Sequence, residues 1–181
     1  MADTEKIQVS DLSFIGYINK EEIQAKVSEI AARLNEDYAD KNPMFLVILN
    51  GAFIFAADLI RQFNHDCEVN FIRIKSYHNT ESTGNVEIFM PHEIPFEGRH
   101  IVIVEDIIDT GNTMAAFLPV LHSKNPASVS ICAFLVKPEA HMHDIKTEYP
   151  GFVIPKKFVL GYGLDYNGLG RNLADLYQLS K

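Results

Sequence analysis

Residues 101–113 read IVIVEDIIDTGNT and combine three kinds of sequence in a short space. The first four are apolar and mostly β-branched, which is typical of a strand buried on both faces of a parallel sheet. Glu105 and Asp106 follow at once, and a polar cluster at 109–113 precedes a helix-like apolar run at 114–121. The pattern predicts a strand, an acidic loop and the start of a helix.

This order of elements predicts a binding site. In open α/β sheets, ligands bind beyond the carboxyl ends of the strands, and a helix N-terminus offers N–H groups to a phosphate. The hydroxyl and glycine positions at 110–113 therefore lie where an anion docks. Glu105, Asp106 and Asp109 would repel that anion, so they suit sugar hydroxyls or a hard divalent cation. A sugar phosphate with a metal fits all of these groups.

A simpler interpretation needs no ligand. Asp109 or Thr110 then caps the helix, and Glu105 and Asp106 are solvated loop acids. Capping is common after a strand, but it does not explain three acids packed against a buried one. Both interpretations stay open from these residues alone.

Composition limits the class of protein. The chain has 181 residues, 47% of them hydrophobic and 22% charged, which fits one globular domain. A net charge of −8 argues against a nucleic-acid surface, which needs a basic stripe. Cys67 and Cys132 lie in apolar runs, as buried thiols do in a reducing compartment. Without a signal-like start or a membrane-length apolar run, we expect a cytoplasmic protein that binds neither nucleic acid nor membrane.

Periodicity predicts the remaining elements. Asn19 and Glu22 form a capping-box pattern at the start of an amphipathic helix. Residues 1–10 read as a loose polar tail, and His141, His143 and Asp144 as a solvated loop rather than a metal site, since no third ligand has a known placement. The further predicted elements are strands at 14–18, 44–49, 69–75, 86–90, 128–136 and 173–179 and a helix at 52–63.

The segment EDIIDTGNT at 105–113 resembles the phosphoribosyl-diphosphate signature of type I phosphoribosyltransferases, in particular the hypoxanthine (or hypoxanthine-guanine) phosphoribosyltransferases. Further segments resemble that family in the family's order: LNGAF at 49–53, KSY at 75–77, LVK at 135–137 and KFVLGYGLDYN at 157–167. The resemblance implies an α/β type I fold with a central, mostly parallel sheet flanked by helices. It also implies a single domain over 1–181, a flexible lid at about 76–86, and a small hood from the N-terminal segment and about 152–181.

The resemblance implies roles for residues that bind 5-phosphoribosyl 1-diphosphate. Glu105 and Asp106 hold the ribose hydroxyls, and Asp109 is the catalytic base that takes the N7 proton of the purine. The 5-phosphate lies in the loop formed by Thr110, Gly111, Asn112 and Thr113. Other implied groups contact pyrophosphate, form the lid or hold Mg²⁺: Asn50, Gly51 and Arg171; Ser76 and Tyr77; and Asp165 with Glu105 and Asp106.

The resemblance also implies a purine site. Lys137 reads the oxygen on C6, Phe158 stacks on the ring, and the Val159 backbone meets its pyrimidine edge, with Asp165 close by. Without the resemblance, Lys137 is a snorkelling surface lysine, Phe158 a core aromatic and Asp165 a turn residue. Asn50 departs from the family, which usually carries a basic residue before this glycine.

The implied reaction joins hypoxanthine, and guanine as well, to ribose 5-phosphate and releases pyrophosphate, giving IMP or GMP in purine salvage. The family is usually dimeric or tetrameric, so we expect a homo-oligomer whose other partners are small molecules. Three alternatives stay open: a non-catalytic nucleotide- or RNA-binding regulator on the same fold, a transferase for another base such as xanthine, and an unrelated α/β nucleotide enzyme. The last would leave Lys137 and Asp165 unexplained.

Overall fold

The computed structural model describes residues 6–76, 86–89 and 93–180, and for Lys75, Ser76 and Val86 only the backbone. Tyr77 and most of the predicted lid therefore lie outside the described residues. The strands are β1 Lys6–Val9, β2 Leu12–Ile18, β3 Met44–Leu49, β4 Glu68–Ser76, β5 Val86–Phe89, β6 His100–Ile108, β7 Ser128–Val136, β8 Tyr149–Val153, β9 Val159–Leu160 and β10 Leu176–Leu179. The helices are α1 Lys20–Asp37, α2 Phe53–Ile60 and α3 Asn112–His122.

The central sheet has six strands in the order β5-β4-β3-β6-β7-β8. Five of them are parallel, and only β5 runs antiparallel, pairing with β4. The apolar runs at 44–49 and 101–104 form the middle strands β3 and β6, as predicted, because both of their faces are covered. The α/β fold with a mostly parallel sheet is confirmed.

Helices cover both faces of this sheet. On one face, α1 and α2 pack against alternate residues of β3 and β6, including Phe45, Val47 and Val102. On the other, α3 packs against the intervening residues, such as Leu46 and Ile103. The predicted capping box of α1 is present: Asn19 accepts from the Glu22 N–H at 2.8 Å and donates its own N–H to the Glu22 carboxylate at 3.0 Å.

A second sheet, in the order β1-β2-β10-β9, joins residues from both ends of the described chain. Its strands come from the N-terminal segment and from residues 159–179, and we call this sheet the hood. The prediction of a loose tail at 1–10 was wrong for residues 6–9, which pair with β2 because Ile7 and Val9 pack on the small apolar cluster around Phe14. The last strand begins at Leu176, three residues later than predicted, since Leu173 closes a turn on Gly170.

Other predicted boundaries also moved. Strand β6 continues to Ile108, paired with β7 as far as the Ile108 and Val136 register, so Glu105 and Asp106 lie in a strand rather than an acidic loop. Helix α2 ends at Ile60 because tighter turns take over at Gln62 and Phe63. Among the described residues, no helix is long and apolar enough to cross a membrane.

Candidate active site

Strand β6 and helix α3 are joined by a turn of three residues, 109–111. Gly111 sits at the helix N-cap with φ of +80°, a conformation that strongly favours glycine. A Cβ there would also lie 3.0 Å from Ile145 Cγ1. The Thr110 hydroxyl accepts from the Asn112 N–H at 3.4 Å. The turn thus brings a helix N-terminus, two threonines and a glycine to the carboxyl end of β6, which suits a phosphate.

A pocket opens at this point and is lined by Glu105 and residues 107–114. Glu105 is 9% exposed, and its Oε2 has no hydrogen-bond partner among the described residues. Burial, and after it the neighbouring Asp106 charge, raises the pKa of Glu105 well above its ordinary 4.5. A buried carboxyl oxygen without a partner is costly, so this pocket suits a ligand that supplies hydroxyl donors.

Asp106 faces a different part of the protein from Glu105, as neighbouring strand residues do. Its carboxylate lies against the loop after β3: a Cβ added to Gly51 would be 1.4 Å from Asp106 Oδ2. Its Oδ1 accepts from the Ile107 N–H at 2.8 Å. Burial raises the pKa of Asp106 from 3.8 to about 6, although that N–H and the charge of Arg171 act in the opposite direction.

Lys137 contacts Asp109, the predicted catalytic base. Its side chain is only 7% exposed, and its Nζ lies 2.7 Å from Asp109 Oδ2. The backbone N–H of Lys137 donates to the Ile108 carbonyl at 2.9 Å, which fixes the end of β7 beside the end of β6. Lys137 is therefore not a snorkelling surface lysine. The fold places its ammonium group on the same sheet edge as the β6–α3 turn.

A second group of predicted residues meets around two glycines. A Cβ added to Gly163 would lie 2.1 Å from the Gly51 carbonyl oxygen, so the two loops pack backbone to backbone. Arg171 Nη1 donates to the Gly163 carbonyl at 2.7 Å, and Arg171 Nη2 lies 2.6 Å from Asp165 Oδ1. Asn50 is exposed at the start of the first loop, after a cis peptide bond from Leu49. One guanidinium, one carboxylate and a tight glycine contact thus lie together.

Phe158 lies on the hood. Its ring is 46% exposed, with the Phe14 and Tyr166 rings at centroid distances of 6.1 and 5.9 Å. A core aromatic would be buried, so the structure leaves part of this ring accessible. Val159 is buried in β9, where it pairs with Gln178 of β10.

The described residues include no group of three or more histidine, cysteine, aspartate or glutamate side chains placed to hold a metal ion. The three predicted ligands Glu105, Asp106 and Asp165 therefore do not form such a group, because Glu105 and Asp106 face different parts of the site. Mg²⁺ is commonly bound by one or two carboxylates together with substrate phosphate oxygens and waters. The charge of Asp165 adds to the raised pKa of Asp106, a repulsion that a cation would relieve. These two carboxylates fit such a shared site.

Residues 142–145 support the β6–α3 turn, which the sequence did not indicate. His143 Nε2 lies 2.8 Å from Asn112 Oδ1, and the Met142 N–H donates to the Thr110 carbonyl at 2.9 Å. Ile145 packs against Gly111. The only available signal was position, since this segment follows Lys137 at the end of a central strand. The interpretation of His143 as part of a solvated loop missed this contact.

Comparison with known proteins gives a consistent result. The family model of a phosphoribosyl transferase domain matches residues 17–167. A hypoxanthine-guanine-xanthine phosphoribosyltransferase from Tritrichomonas foetus is 39% identical over 171 residues, covering 94% of this chain and 93% of that protein. A hypoxanthine-guanine phosphoribosyltransferase from Bacillus subtilis is 41% identical over 157 residues, covering 86% and 87%.

Solved structures agree. The chain is similar to a hypoxanthine phosphoribosyltransferase from Staphylococcus aureus, with a TM-score of 0.87 at 37% identity over 91% of this chain and 90% of that one. It is also similar to a hypoxanthine-guanine phosphoribosyltransferase from Bacillus anthracis, with a TM-score of 0.85 at 34% identity over 92% and 96%. The likeness extends over nearly the whole of each chain.

Proposed function

This chain belongs to the phosphoribosyltransferase family, and from that premise we propose that it is a hypoxanthine phosphoribosyltransferase of purine salvage that also uses guanine. It transfers the 5-phosphoribosyl group from 5-phosphoribosyl 1-diphosphate to N9 of the base and releases pyrophosphate. The similarity to hypoxanthine-guanine enzymes over most of the chain supports this activity rather than a non-catalytic regulator.

The observation that carries the proposal is the contact between Lys137 and Asp109 at the carboxyl edge of β6 and β7. A 6-oxopurine uses both, because its C6 oxygen accepts from an ammonium group while its N7 proton leaves to a carboxylate. In this mechanism the C6 oxygen of the purine replaces Asp109 as the acceptor of the Lys137 hydrogen bond. Asp109 Oδ2 then accepts the N7 proton as N9 attacks C1 of the ribose.

The sugar and its phosphate occupy the pocket beside α3. Glu105, whose Oε2 has no hydrogen-bond partner among the described residues, and Asp106, which faces the Gly51 loop, accept hydrogen bonds from the ribose hydroxyls. The 5-phosphate accepts from the N–H groups and hydroxyls of residues 110–113, where the helix dipole favours an anion. Holding both ends of the sugar fixes C1 opposite the attacking N9.

The leaving pyrophosphate binds at the second group of residues, around Gly51, Gly163 and Arg171. The positive charge of the Arg171 guanidinium stabilises the pyrophosphate. The Gly51 loop donates hydrogen bonds to it from backbone N–H groups and from the Asn50 amide. Asp165, with Asp106 nearby, would hold Mg²⁺ jointly with the pyrophosphate oxygens, and the bound ion would supply charge that stabilises the leaving group. Ser76 and Tyr77 belong to a lid that excludes water from the cation-like centre.

A metal requirement is tested by dialysis against chelator. Turnover is expected to disappear and to return on addition of Mg²⁺, with thermal stability measured in parallel to exclude unfolding. Full turnover in metal-free buffer would contradict the proposed arrangement at Asp165.

Base choice tests the proposed substrate. An ammonium group has donors and no acceptor, so Lys137 satisfies the C6 oxygen of hypoxanthine or guanine and not the amino group of adenine. Adenine is expected to be poorer by roughly 10²-fold or more in kcat/KM. Specificity constants for hypoxanthine, guanine, xanthine and adenine measure this in the parent and in Lys137→Gln. The function is wrong if the parent uses adenine as well as hypoxanthine, and the role of Lys137 is wrong if Lys137→Gln keeps full use of oxopurines.

We further propose a cytoplasmic homodimer or homotetramer. Val69 and Phe71 are 37% and 44% exposed on one face of β4, an apolar surface that a second copy would cover. Both cysteines are free thiols, and Cys132 is fully buried, which suits a reducing compartment. Sedimentation equilibrium of the parent and of Phe71→Glu measures the assembly, and a monomeric parent would contradict it.

A further inference from the structure

The loop that carries Asp165 begins with an unusual turn. Gly161, Tyr162 and Gly163 all have positive φ, of 106°, 46° and 101°. Glycine adopts this region freely, but a tyrosine there is strained and needs support from its surroundings. The Tyr162 N–H donates to the Leu173 carbonyl at 2.9 Å, and its ring packs on Phe134 with a centroid distance of 4.8 Å. Its hydroxyl is the third support.

That hydroxyl donates to Asp58 Oδ2 of helix α2 at 2.7 Å. Asp58 also accepts from Gln24 of α1 at 2.9 Å and from Arg61 at 2.5 Å. Burial alone would raise the pKa of Asp58, but the hydrogen bonds from Tyr162, Gln24 and Arg61 together hold it below its ordinary value. Burial and the bond to Asp58 raise the pKa of Tyr162, so the pair remains hydroxyl and carboxylate at physiological pH.

The hydrogen bond between Tyr162 and Asp58 joins two elements that lead into the proposed pyrophosphate site. Helix α2 starts after the Gly51 loop, and Gly163, next to Tyr162, packs on the Gly51 carbonyl. The Gly163 N–H donates to the Arg171 carbonyl at 3.0 Å, and its own carbonyl accepts from the Arg171 guanidinium at 2.7 Å. Tyr162 is thus the chain neighbour of Gly163, the residue that contacts both the Gly51 carbonyl and the Arg171 guanidinium.

We infer that Tyr162 and Asp58 are positioning residues for the pyrophosphate half of the substrate. Neither is assigned to contact the substrate; their bond ties α2 to the hood loop and holds Gly163 against Gly51. Both line a cavity with Gln24 and Ile54, so the loop has room to shift when the bond is lost. This inference rests on the proposed phosphoribosyl transfer, because that reaction gives the site its pyrophosphate.

The test is pyrophosphorolysis, the reverse reaction, at saturating Mg²⁺. Tyr162→Phe removes one oxygen atom and is expected to raise the KM for pyrophosphate by roughly 3- to 10-fold, because only part of the free energy of the lost hydrogen bond is transmitted to the pyrophosphate site. The KM for the nucleotide should stay within about 2-fold, because the β6–α3 turn does not depend on this bond. Asp58→Ala should raise the pyrophosphate KM at least as much, and the double variant should add nothing further.

Tyr149→Phe is the matched control. Tyr149 is buried, and its hydroxyl donates to Asp37 at the end of α1 at 2.6 Å, but it lies in the edge strand β8, where it pairs with Cys132 of β7. Both tyrosine variants should lower the melting temperature to a similar extent, and only Tyr162→Phe should change the pyrophosphate KM. An unchanged pyrophosphate KM in Tyr162→Phe, a parallel rise of both KM values, or an equal effect of Tyr149→Phe would overturn the inference.

If the parent chain does not catalyse pyrophosphorolysis, the proposed function is refuted, but the positioning role of the Tyr162–Asp58 bond is not. Calorimetric titration with magnesium pyrophosphate then tests the positioning role of this bond directly. Binding roughly 3- to 10-fold weaker in Tyr162→Phe than in the parent is expected, and equal binding, or none to the parent, would overturn it.

Discussion

The two halves of the candidate site are built in opposite ways. The phosphate half is one continuous segment, 105–113, whose strand, turn and helix place every group by local geometry. The pyrophosphate half brings together Gly51, Gly163 and Arg171 from distant parts of the chain, and its geometry depends on a backbone contact between two loops. Substitutions of functional groups in the first half should therefore change the reaction rate more than the stability of the fold. In the second half, even one added methyl group should lower the free energy of unfolding.

The largest expected effect is chemical and lies in the phosphate half. Asp109→Asn keeps an oxygen that accepts from Lys137 but cannot take a proton, so kcat should fall by about 10²–10⁴-fold. Binding of 5-phosphoribosyl 1-diphosphate and the melting temperature should remain close to those of the parent. Steady-state kinetics and calorimetry measure both, and a near-normal rate would reject Asp109 as the base.

The next effect is structural and lies in the pyrophosphate half. Gly163→Ala places a methyl group against the Gly51 carbonyl at a positive φ, and should lower the free energy of unfolding by about 2–5 kcal/mol. Gly98→Ala is the control, because Gly98 also has a positive φ, of 69°, but nothing lies within 4 Å of its added Cβ. It should lose only about 1–2 kcal/mol. Equal losses in urea unfolding would show that the two loops are not tightly packed.

Asp106 tests the boundary between the halves, since it belongs to the first segment by sequence and contacts the second. Its pKa is raised in the folded protein, so the folded state gains stability from protonation. That stability is complete below the unfolded value of 3.8 and is lost as pH rises through about 6. In chelator, Asp106→Asn should therefore stabilise the protein above pH 6 by about 1–3 kcal/mol. Asp144→Asn, at an exposed carboxylate, is the control, and unfolding curves at pH 4 and 8 that shift alike would contradict the prediction.

The smallest expected effect concerns Asn50, which stands where the resemblance implies a basic residue. Asn50 is exposed, so an added charge is screened by water. Asn50→Lys should tighten pyrophosphate by roughly 2- to 5-fold, measured as the KM in pyrophosphorolysis with Asn50→Gln as the uncharged control. No change would mean that this loop binds through its backbone alone.

The same contrast explains what the sequence could predict. The capping box at Asn19, the buried strands at 44–49 and 101–104 and the turn before α3 depend on nearby residues, and each was predicted correctly. Glu105 and Asp106 were placed in a loop because two acids in a buried strand contradict local preference. Pairing with β7 overrides that preference, and it places their two carboxyl groups toward different parts of the site.

Contacts between distant segments had no comparable signal. The tyrosine between Gly161 and Gly163 gives no indication of its left-handed backbone, and nothing near it in sequence predicts the hydrogen bond from its hydroxyl to Asp58 of α2. The contact between His143 and Asn112 joins residues 31 positions apart, and no pattern in the sequence indicates it. Residues 6–9 looked like a polar tail because their two apolar residues find their partners on β2 and around Phe14.

The second sheet also has a consequence for synthesis of the protein on the ribosome. Strand β2 pairs with β10, so Phe14 lies opposite Leu179 and Ile18 opposite Leu176. At about 5–20 residues per second, the edge of β2 waits roughly 10–30 s for its partner to be made. The strands of the central sheet, from β3 to β8, are synthesised during that interval, whereas Phe158 lies beside a sheet that is still incomplete. The proposed purine site is therefore completed only when translation has passed Leu179, and until then the nascent chain exposes a strand edge that could pair with other chains.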